Sequence, residues 1–295
     1  MKMKTAIRRF DRQLVANGRS VNTRSAYLRD LQKFAQWLGN QCISKIKPDD
    51  LARFLTSDEA LMRPDGLPRK PITVNRTKSA LRSFFEFCVN SGWIKENPAR
   101  LIRSSPAAPK EPAVLMDSEI RRLRQVLAGI GGPLADRDRL IFELLMGTGI
   151  RLGSLVALSV GNVDLRTGTL SIKLKGGTEG CVFLNPGLRR AIRHYLNKNA
   201  TQGNCGPDMP LFRGQSGKRL GARQIQLRFA RWFQEAGIDR PISLHSLRHT
   251  FATRLYEKTG DLHLVQRALG HRQITTTEIY ARVGDGSLRA AVASD

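Results

Sequence analysis

SLHSLRHTFATRL, residues 243–255, places His245, Arg248 and His249 within about one helical turn. Side chains three and four apart share a helix face, so His245 has both of the others as neighbours. Leu244, Leu247, Phe251 and Leu255 form an apolar stripe expected to bury the other side. Such a helix can aim cations at an anion, bind a metal, or hydrogen-bond inside a core. Three further stretches bear on the choice. GTGIRLGSL (147–155) delivers Arg151 at a helix start, and a guanidinium presents a planar fork that matches phosphate oxygens. Lys175 lies at the tip of a predicted hairpin, where an ammonium can swing into a groove as a donor. ALGHRQITTTEIYARV (268–283) carries His271 and Tyr280.

Each of these residues alone has an ordinary reading: a surface arginine, a solvated hairpin lysine, a packing tyrosine. Together they describe phosphoryl chemistry. A phenol with a pKa of ~10 is a poor nucleophile unless cations favour the phenolate or a base removes its proton. Two arginines would favour the phenolate and also stabilise charge building on phosphate oxygens in the transition state. If no metal takes part, that stabilisation falls to side chains, which explains a set of this many cations.

The composition supports an anionic target. The chain has 295 residues, 49 Lys+Arg against 25 Asp+Glu, and a formal net charge of +24. A basic excess of this size is the electrostatic footprint of a nucleic-acid binder. An anionic membrane is the other attractor, but no lipid-facing apolar or amphipathic segment is evident. The best apolar run, LIFELLM (140–146), is short and carries Glu143, so no spanning segment is expected. MKMKTAIRRF at the start is basic without an apolar run after it, unlike a secretory signal. Cys42, Cys88, Cys181 and Cys205 are scattered, with neither zinc-knuckle nor disulfide spacing, which fits a reducing cytoplasm. No glycine-rich phosphate loop or magnesium-binding carboxylate cluster is apparent, and no metal or cofactor is expected.

Elements that would position these residues fall into two regions. SSPAAPKEP (104–112) reads as a linker. It divides an N-terminal domain, 1–103, from a C-terminal domain, 113–295. The first region reads as all helix, at 21–38 with a cap at Asn22 or Thr23, at 47–55 opening on Pro48, and at 73–92 closing on Gly92. Residues 1–110 hold 22 basic and 9 acidic residues, a net +13 that leaves +11 for the rest. The second region predicts helices at 117–128, 136–146, 153–158, 186–198, 222–236, 244–257, 261–269 and 273–282. Between them come two short strands, TLSIKL (169–174) and CVFL (181–184), around KGGTEG. The fold class is thus mainly α with a small antiparallel β-sheet.

The four stretches, in this order, resemble those of the tyrosine recombinase (phage integrase) family, especially its compact Xer-like members. TGIRLGSL resembles the first-arginine box, HSLRH the His-x-x-Arg box, and LGHRQITTTEIY the box ending in the tyrosine nucleophile. LKGGTEGCVFL resembles the hairpin with the catalytic lysine, and NTRSAYLRDLQKFAQWL the opening helix of the core-binding domain. The likeness covers nearly the whole chain. It implies a two-domain architecture, a helical SAM-like core-binding domain plus a mixed α/β catalytic domain. It implies a site-specific DNA recombinase that cleaves and rejoins strands through a 3′-phosphotyrosyl intermediate, without metal or ATP.

Carried over residue by residue, Tyr280 attacks a DNA phosphate and frees a 5′-hydroxyl. Arg151, Arg248 and His271 hold the non-bridging oxygens, Lys175 protonates the leaving oxygen, and His245 serves as general base. His249 is implied to be a structural neighbour. Where the family usually has Glu or Asp three residues after the first arginine, this chain has Ser154. The acidic residue helps order the site, so its replacement bears on how the lysine or histidine is positioned. Implied partners are double-stranded DNA with an inverted-repeat core site and a homo-tetramer, or a hetero-tetramer with a second recombinase, on two duplexes. In such an assembly GDGSLRAAVASD (284–295) packs onto a neighbouring protomer. The expected form on DNA is a C-shaped clamp, with Arg69, Lys70, Arg76, Lys78 and Arg82 facing the duplex and binding strongly dependent on salt. The expected setting is the prokaryotic cytoplasm, at the nucleoid.

Three other readings stand beside this one. A zinc hydrolase would use His245 and His249, whose i,i+4 spacing suits a metal, though Ser246 replaces the glutamate of a metalloprotease helix. A DNA-binding regulator of the same fold with impaired catalysis would account for Ser154. A type IB topoisomerase would share the cleavage chemistry.

Overall fold

The computed structural model describes residues 1–106, 112–132, 134–173, 179–200 and 206–270. The chain divides into two compact units, Met1–Pro109 and Lys110–Asp295.

The first unit is helical: α1 Met3–Ala16, α2 Val21–Trp37, α3 Pro48–Thr56, the short α4 Asp58–Leu61 and α5 Pro71–Asn90. Helix α1 was not among the expected elements. Its apolar residues Met3, Ala6, Ile7, Phe10 and Leu14 recur at helical spacing and are all buried, so the basic N-terminus is one wall of the core. Helix α2 is capped by Ser20, whose Oγ accepts the Thr23 amide at 3.2 Å, and not by Asn22 or Thr23 as expected. Pro48 opens α3, where its missing N–H has no helical partner to lose. Gly92, at φ +69°, takes the left-handed conformation that stops α5, and Trp93 N donates to Cys88 O at 3.0 Å. Phe10, Phe34, Phe54, Phe84 and Phe85 interlock at the centre, with Phe34 and Phe54 ring centres 5.0 Å apart. Cys88 is fully buried among them, and burial pushes its thiol up to about 12.

The second unit contains α6 Asp117–Gly129, α7 Ala135–Thr148, α8 Leu152–Ala157, α9 Pro186–Ala200, α10 Ala222–Glu235, α11 Leu244–Thr259 and α12 Leu262–Leu269. Between α8 and α9 lies an antiparallel sheet in the order β1 Val163–Asp164, β2 Thr169–Lys173, β3 Glu179–Phe183. It has three strands where two were expected, because Val163 and Asp164 pair with Leu170 and Thr169. Strand β2 ends at Lys173 and β3 begins at Glu179, with Lys173 opposite Glu179. Leu170 and Val182 face each other and are buried, which fixes the register, since a one-residue slip would turn both outward.

Helix α7 is nearly all buried, and a shared carboxylate binds it to α10. Asp138, 1% exposed, accepts from Arg137 at 2.7 Å and from Arg228 at 2.9 Å, and the Arg228 guanidinium lies over the Trp232 ring at 5.3 Å. Helix α11 departs from the expected one-sided pattern. Leu244 and Leu247 are buried and Phe251 and Leu255 half-buried, as an apolar stripe requires, but Ser246, Arg248, Thr250 and Thr253 are buried as well. The helix runs through the unit instead of lying on it. Thr250 finds partners inside, its Oγ1 donating to Ser246 O at 2.8 Å and accepting the Leu115 amide at 2.9 Å.

Candidate active site

The turn between α7 and α8 explains how Arg151 is delivered. Thr148 closes α7 by donating its hydroxyl to Leu144 O at 2.6 Å, and Gly149 follows at φ +60°. A side chain at Gly149 would be strained by that φ and would also press on the Phe251 ring, 2.4 Å from an ideal Cβ. The chain then extends through Arg151, the N-cap of α8. Glycine here lets the first-arginine turn lie flat on α11.

Arg248 locks the same contact from the other side. It is 4% exposed, donates from Nη1 to Gly149 O, and donates from Nη2 to Leu269 O at 2.6 Å. Gly149 ends α7 and Leu269 ends α12, so one guanidinium ties two helix C-termini, each a place where unpaired carbonyls favour a cation. His245 and His249 stack edge to face on α11, their ring centres 4.5 Å apart.

Arg151, His245 and Arg248 line one open cavity of about 520 Å³ together with Arg223 and Gln226 of α10. Its apolar wall includes Phe233, Ile242 and Leu244, and no carboxylate lines it among the described residues. The first turn of α11 (Leu244, His245) contributes to the same cavity and has no acidic residue to offset the positive end of the helix dipole. Burial is the main cause that holds His245 below its ordinary pKa, reinforced by the nearby Arg248 and Arg151 charges. His249 is pushed down to about 4, by burial first and then by His245 and Arg248. Both imidazoles are therefore neutral at pH 7, and His245 can take up a proton. Arginines of fixed charge around a neutral imidazole, without a carboxylate to cancel them, make a receptor for a tetrahedral oxyanion such as a phosphodiester.

The sequence gives 222–236 as a helix without singling out Arg223 or Gln226. Their i,i+3 spacing, exposed at the border of the buried stripe that ends in Phe233, is the available signal. Ser154, singled out for replacing an acidic residue, is 9% exposed, and its Oγ donates to Lys173 O at 2.7 Å. Lys175, His271 and Tyr280 lie outside the described residues, as do the predicted helix 273–282, the 284–295 segment and Cys205. Among the described residues no group of three His, Cys, Asp or Glu could hold a metal ion, so His245 and His249 gain no third ligand there.

The five basic residues expected to face DNA in the first unit have distinct environments. Arg76 of α5 forms a two-pronged ion pair with the buried Asp30 of α2, at 2.9 and 3.0 Å. Its guanidinium is engaged in joining two helices. Arg69 donates to Met62 O at 2.8 Å, Lys78 to Ser105 Oγ at 3.0 Å, and Arg82 to Ser104 Oγ at 3.2 Å, while Lys70 is exposed at the start of α5. No helix among the described residues is long and apolar enough to cross a membrane.

Comparison with known proteins agrees with this chemistry. Residues 113–286 match the Phage integrase family, and residues 7–92 match the N-terminal SAM-like domain of phage integrases. The Tyrosine recombinase XerC of Salmonella typhi is 36% identical over 214 residues, 72% of this chain and 70% of that protein. The Tyrosine recombinase XerC of Escherichia coli is 38% identical over 206 residues, 70% of this chain and 67% of that one. Among solved structures, the XerH site-specific recombinase on a palindromic difH substrate superposes with a TM-score of 0.75 at 24% identity, covering 94% of this chain and 81% of that one. A lambda integrase dimer bound to a core site gives 0.74 at 19% identity, covering 95% of each chain. These two likenesses speak for the fold, and the family match over more than half the chain speaks for descent. The chain belongs to the phage integrase family, the site-specific tyrosine recombinases.

Proposed function

We propose that the arginine-lined cavity receives the scissile phosphate of a recombination site in double-stranded DNA. Tyr280 attacks the phosphorus, its Oη–P bond forms as the P–O5′ bond breaks, and a 3′-phosphotyrosyl enzyme and a 5′-hydroxyl result. His245 accepts the phenol proton, and Lys175 gives a proton to the departing O5′. Arg151, Arg248 and His271 hold the non-bridging oxygens as charge develops. The covalent bond retains the phosphodiester energy, so a 5′-hydroxyl from a partner duplex can reverse the step without ATP. The observation that carries this reading is the cavity itself: Arg151, Arg223, Arg248 and a neutral His245 line it, with no carboxylate among the described lining residues.

In the same reading residues 1–103 form the core-binding domain, 104–112 the tether and 113–295 the catalytic domain. Arg223 and Gln226 join Arg69, Lys70, Lys78 and Arg82 as DNA contacts, and Arg76 acts through the Asp30 pair that holds α5 in place. The active assembly is a tetramer on two duplexes, working at the nucleoid in the cytoplasm of a prokaryote. A lambda integrase tetramer on a Holliday junction, with a TM-score of 0.71 at 20% identity, supports this by its fold.

The test is incubation with a nicked suicide duplex in EDTA and without ATP, followed by a denaturing gel and peptide mapping. The unsubstituted protein should carry a 3′-linked oligonucleotide on Tyr280. Tyr280→Phe removes one hydroxyl and should bind DNA unchanged yet form no adduct. An adduct in that variant, or one mapped to a serine, would show the mechanism to be wrong.

A further inference from the structure

The side of α5 that carries Lys78 and Arg82 is already occupied by the chain itself. Asn75, Lys78, Ser79 and Arg82 are three, four and seven positions apart and share one side of the helix. Ile102 packs against the core of the first unit, and Ser104 and Ser105 after it lie along that side. The Asn75 amide meets the Ser105 backbone in both directions. Its Nδ2 donates to the Ser105 carbonyl at 2.9 Å and its Oδ1 accepts the Ser105 N–H at 2.8 Å, the exchange that a paired strand would make. Lys78 Nζ donates to Ser105 Oγ at 3.0 Å, and Arg82 Nη2 donates to Ser104 Oγ at 3.2 Å. Both cations are only partly exposed under this segment.

We propose that Ser104 and Ser105 form an autoinhibitory latch on α5, held by Asn75, which a duplex must displace to gain Lys78 and Arg82. This rests on the reading of those two residues as DNA contacts. The exchange has a direction. A hydroxyl is a neutral acceptor, whereas a phosphate oxygen is charged and accepts a bond about twice as strong from the same ammonium or guanidinium. All four latch bonds lie at the surface, where water competes for each of them, so the latch is poised to open. Asn75 is the residue that isolates the effect, because it holds the segment without being one of the two cations. By linkage the coupling is reciprocal: the latch weakens DNA binding by the same factor by which DNA weakens the latch. A protein competent in only a fraction of its molecules shows an affinity reduced by that fraction. Releasing the latch should therefore tighten binding, the opposite of what loss of a polar residue from a DNA-facing helix ordinarily does.

The experiment titrates the full chain with a labelled duplex of scrambled sequence over a range of salt concentrations. It compares the unsubstituted protein with Asn75→Ala, with Ser104→Ala and Ser105→Ala combined, and with Lys78→Ala and Arg82→Ala. In parallel, hydrogen exchange at the Ser105 amide is followed by mass spectrometry with and without the duplex. We expect Asn75→Ala to bind roughly fivefold more tightly, as a population freed from the latch requires. The double serine variant leaves the Asn75 clamp in place and should tighten binding by about twofold, so the test holds even if Asn75→Ala disturbs α5. In the unsubstituted protein the Ser105 amide should exchange faster once the duplex is bound. Equal or weaker binding by both the Asn75 and the double serine variants, or slower Ser105 exchange on DNA, would overturn the proposal. Lys78→Ala and Arg82→Ala should each weaken binding and lower the salt slope by about one. If neither changes affinity or slope, the reading of these residues as DNA contacts is wrong, and the latch falls with it.

Discussion

At the scale of single residues, the second unit holds two imidazoles below their ordinary pKa. His249 ordinarily titrates near 6.5 and in the fold is held at about 4, so the folded protein resists a proton that the unfolded chain accepts. A depressed histidine pKa gives stability that is complete above about 6.5 and is lost as pH falls toward 4. His245 shifts in the same direction and adds to the same window. Stability of the protein, measured by urea denaturation, should therefore decline from pH 6.5 to pH 4, and His249→Gln should make the decline shallower. Parallel pH curves for the two proteins would show that His249 does not bear this load. His245 has a second consequence: if it is the general base proposed above, its neutral imidazole can take the phenol proton without first losing one.

At the scale of elements, the turn from α7 to α8 is where backbone conformation and chemistry are most tightly joined. Gly149→Ala meets both an unfavourable φ and the Phe251 ring, and it disturbs the carbonyl that Arg248 uses. It should destabilise the catalytic unit by roughly 1–3 kcal/mol or more, read as a lower denaturation midpoint. An unchanged midpoint would mean the turn can relax at no cost. This turn was legible in the sequence because its residues are contiguous. So were helices with long 3.6-residue patterns, such as α2, α5 and α10. Helix α1 was harder to read, since its buried positions are interleaved with Lys4, Arg8, Arg9 and Arg12. Strand β1, with two residues, is too short for any period to show. Contacts between distant residues left no local trace: Arg76 meets Asp30 across 46 positions, and Arg223 reaches the cavity through the packing of α10 on α6 and α8, joined to α7 by the Asp138–Arg228 pair. A basic residue on a helix looks the same in sequence whether it serves a carboxylate or a phosphate. Ser154 was conspicuous as a departure, but the partner of its hydroxyl became visible only in the fold.

At the scale of the whole molecule, the two units carry similar net charge by different arrangements. The second unit sets three arginines around one cavity, while in the first unit Arg76 is already neutralised by Asp30. Reversing the charge of Arg76 would break a structural pair, so a loss of DNA affinity there would not locate the DNA. Lys78 and Arg82, which among the described residues bond through their side chains to serine hydroxyls, are the informative positions. The aromatic core around Cys88 has one more consequence. Its thiol, sealed and held protonated, cannot meet an alkylating reagent until the first unit opens, whereas Cys181 on β3 is exposed. The protein thus contains its own stopwatch. In a mass-resolved labelling course under native conditions, Cys181 should be modified at once, and Cys88 only at the opening rate of the helical unit. Cys88 labelled as fast as Cys181 would mean the core breathes freely. If DNA binds the helical unit, adding it should slow the Cys88 clock and leave the unfolding of that unit as the event being timed.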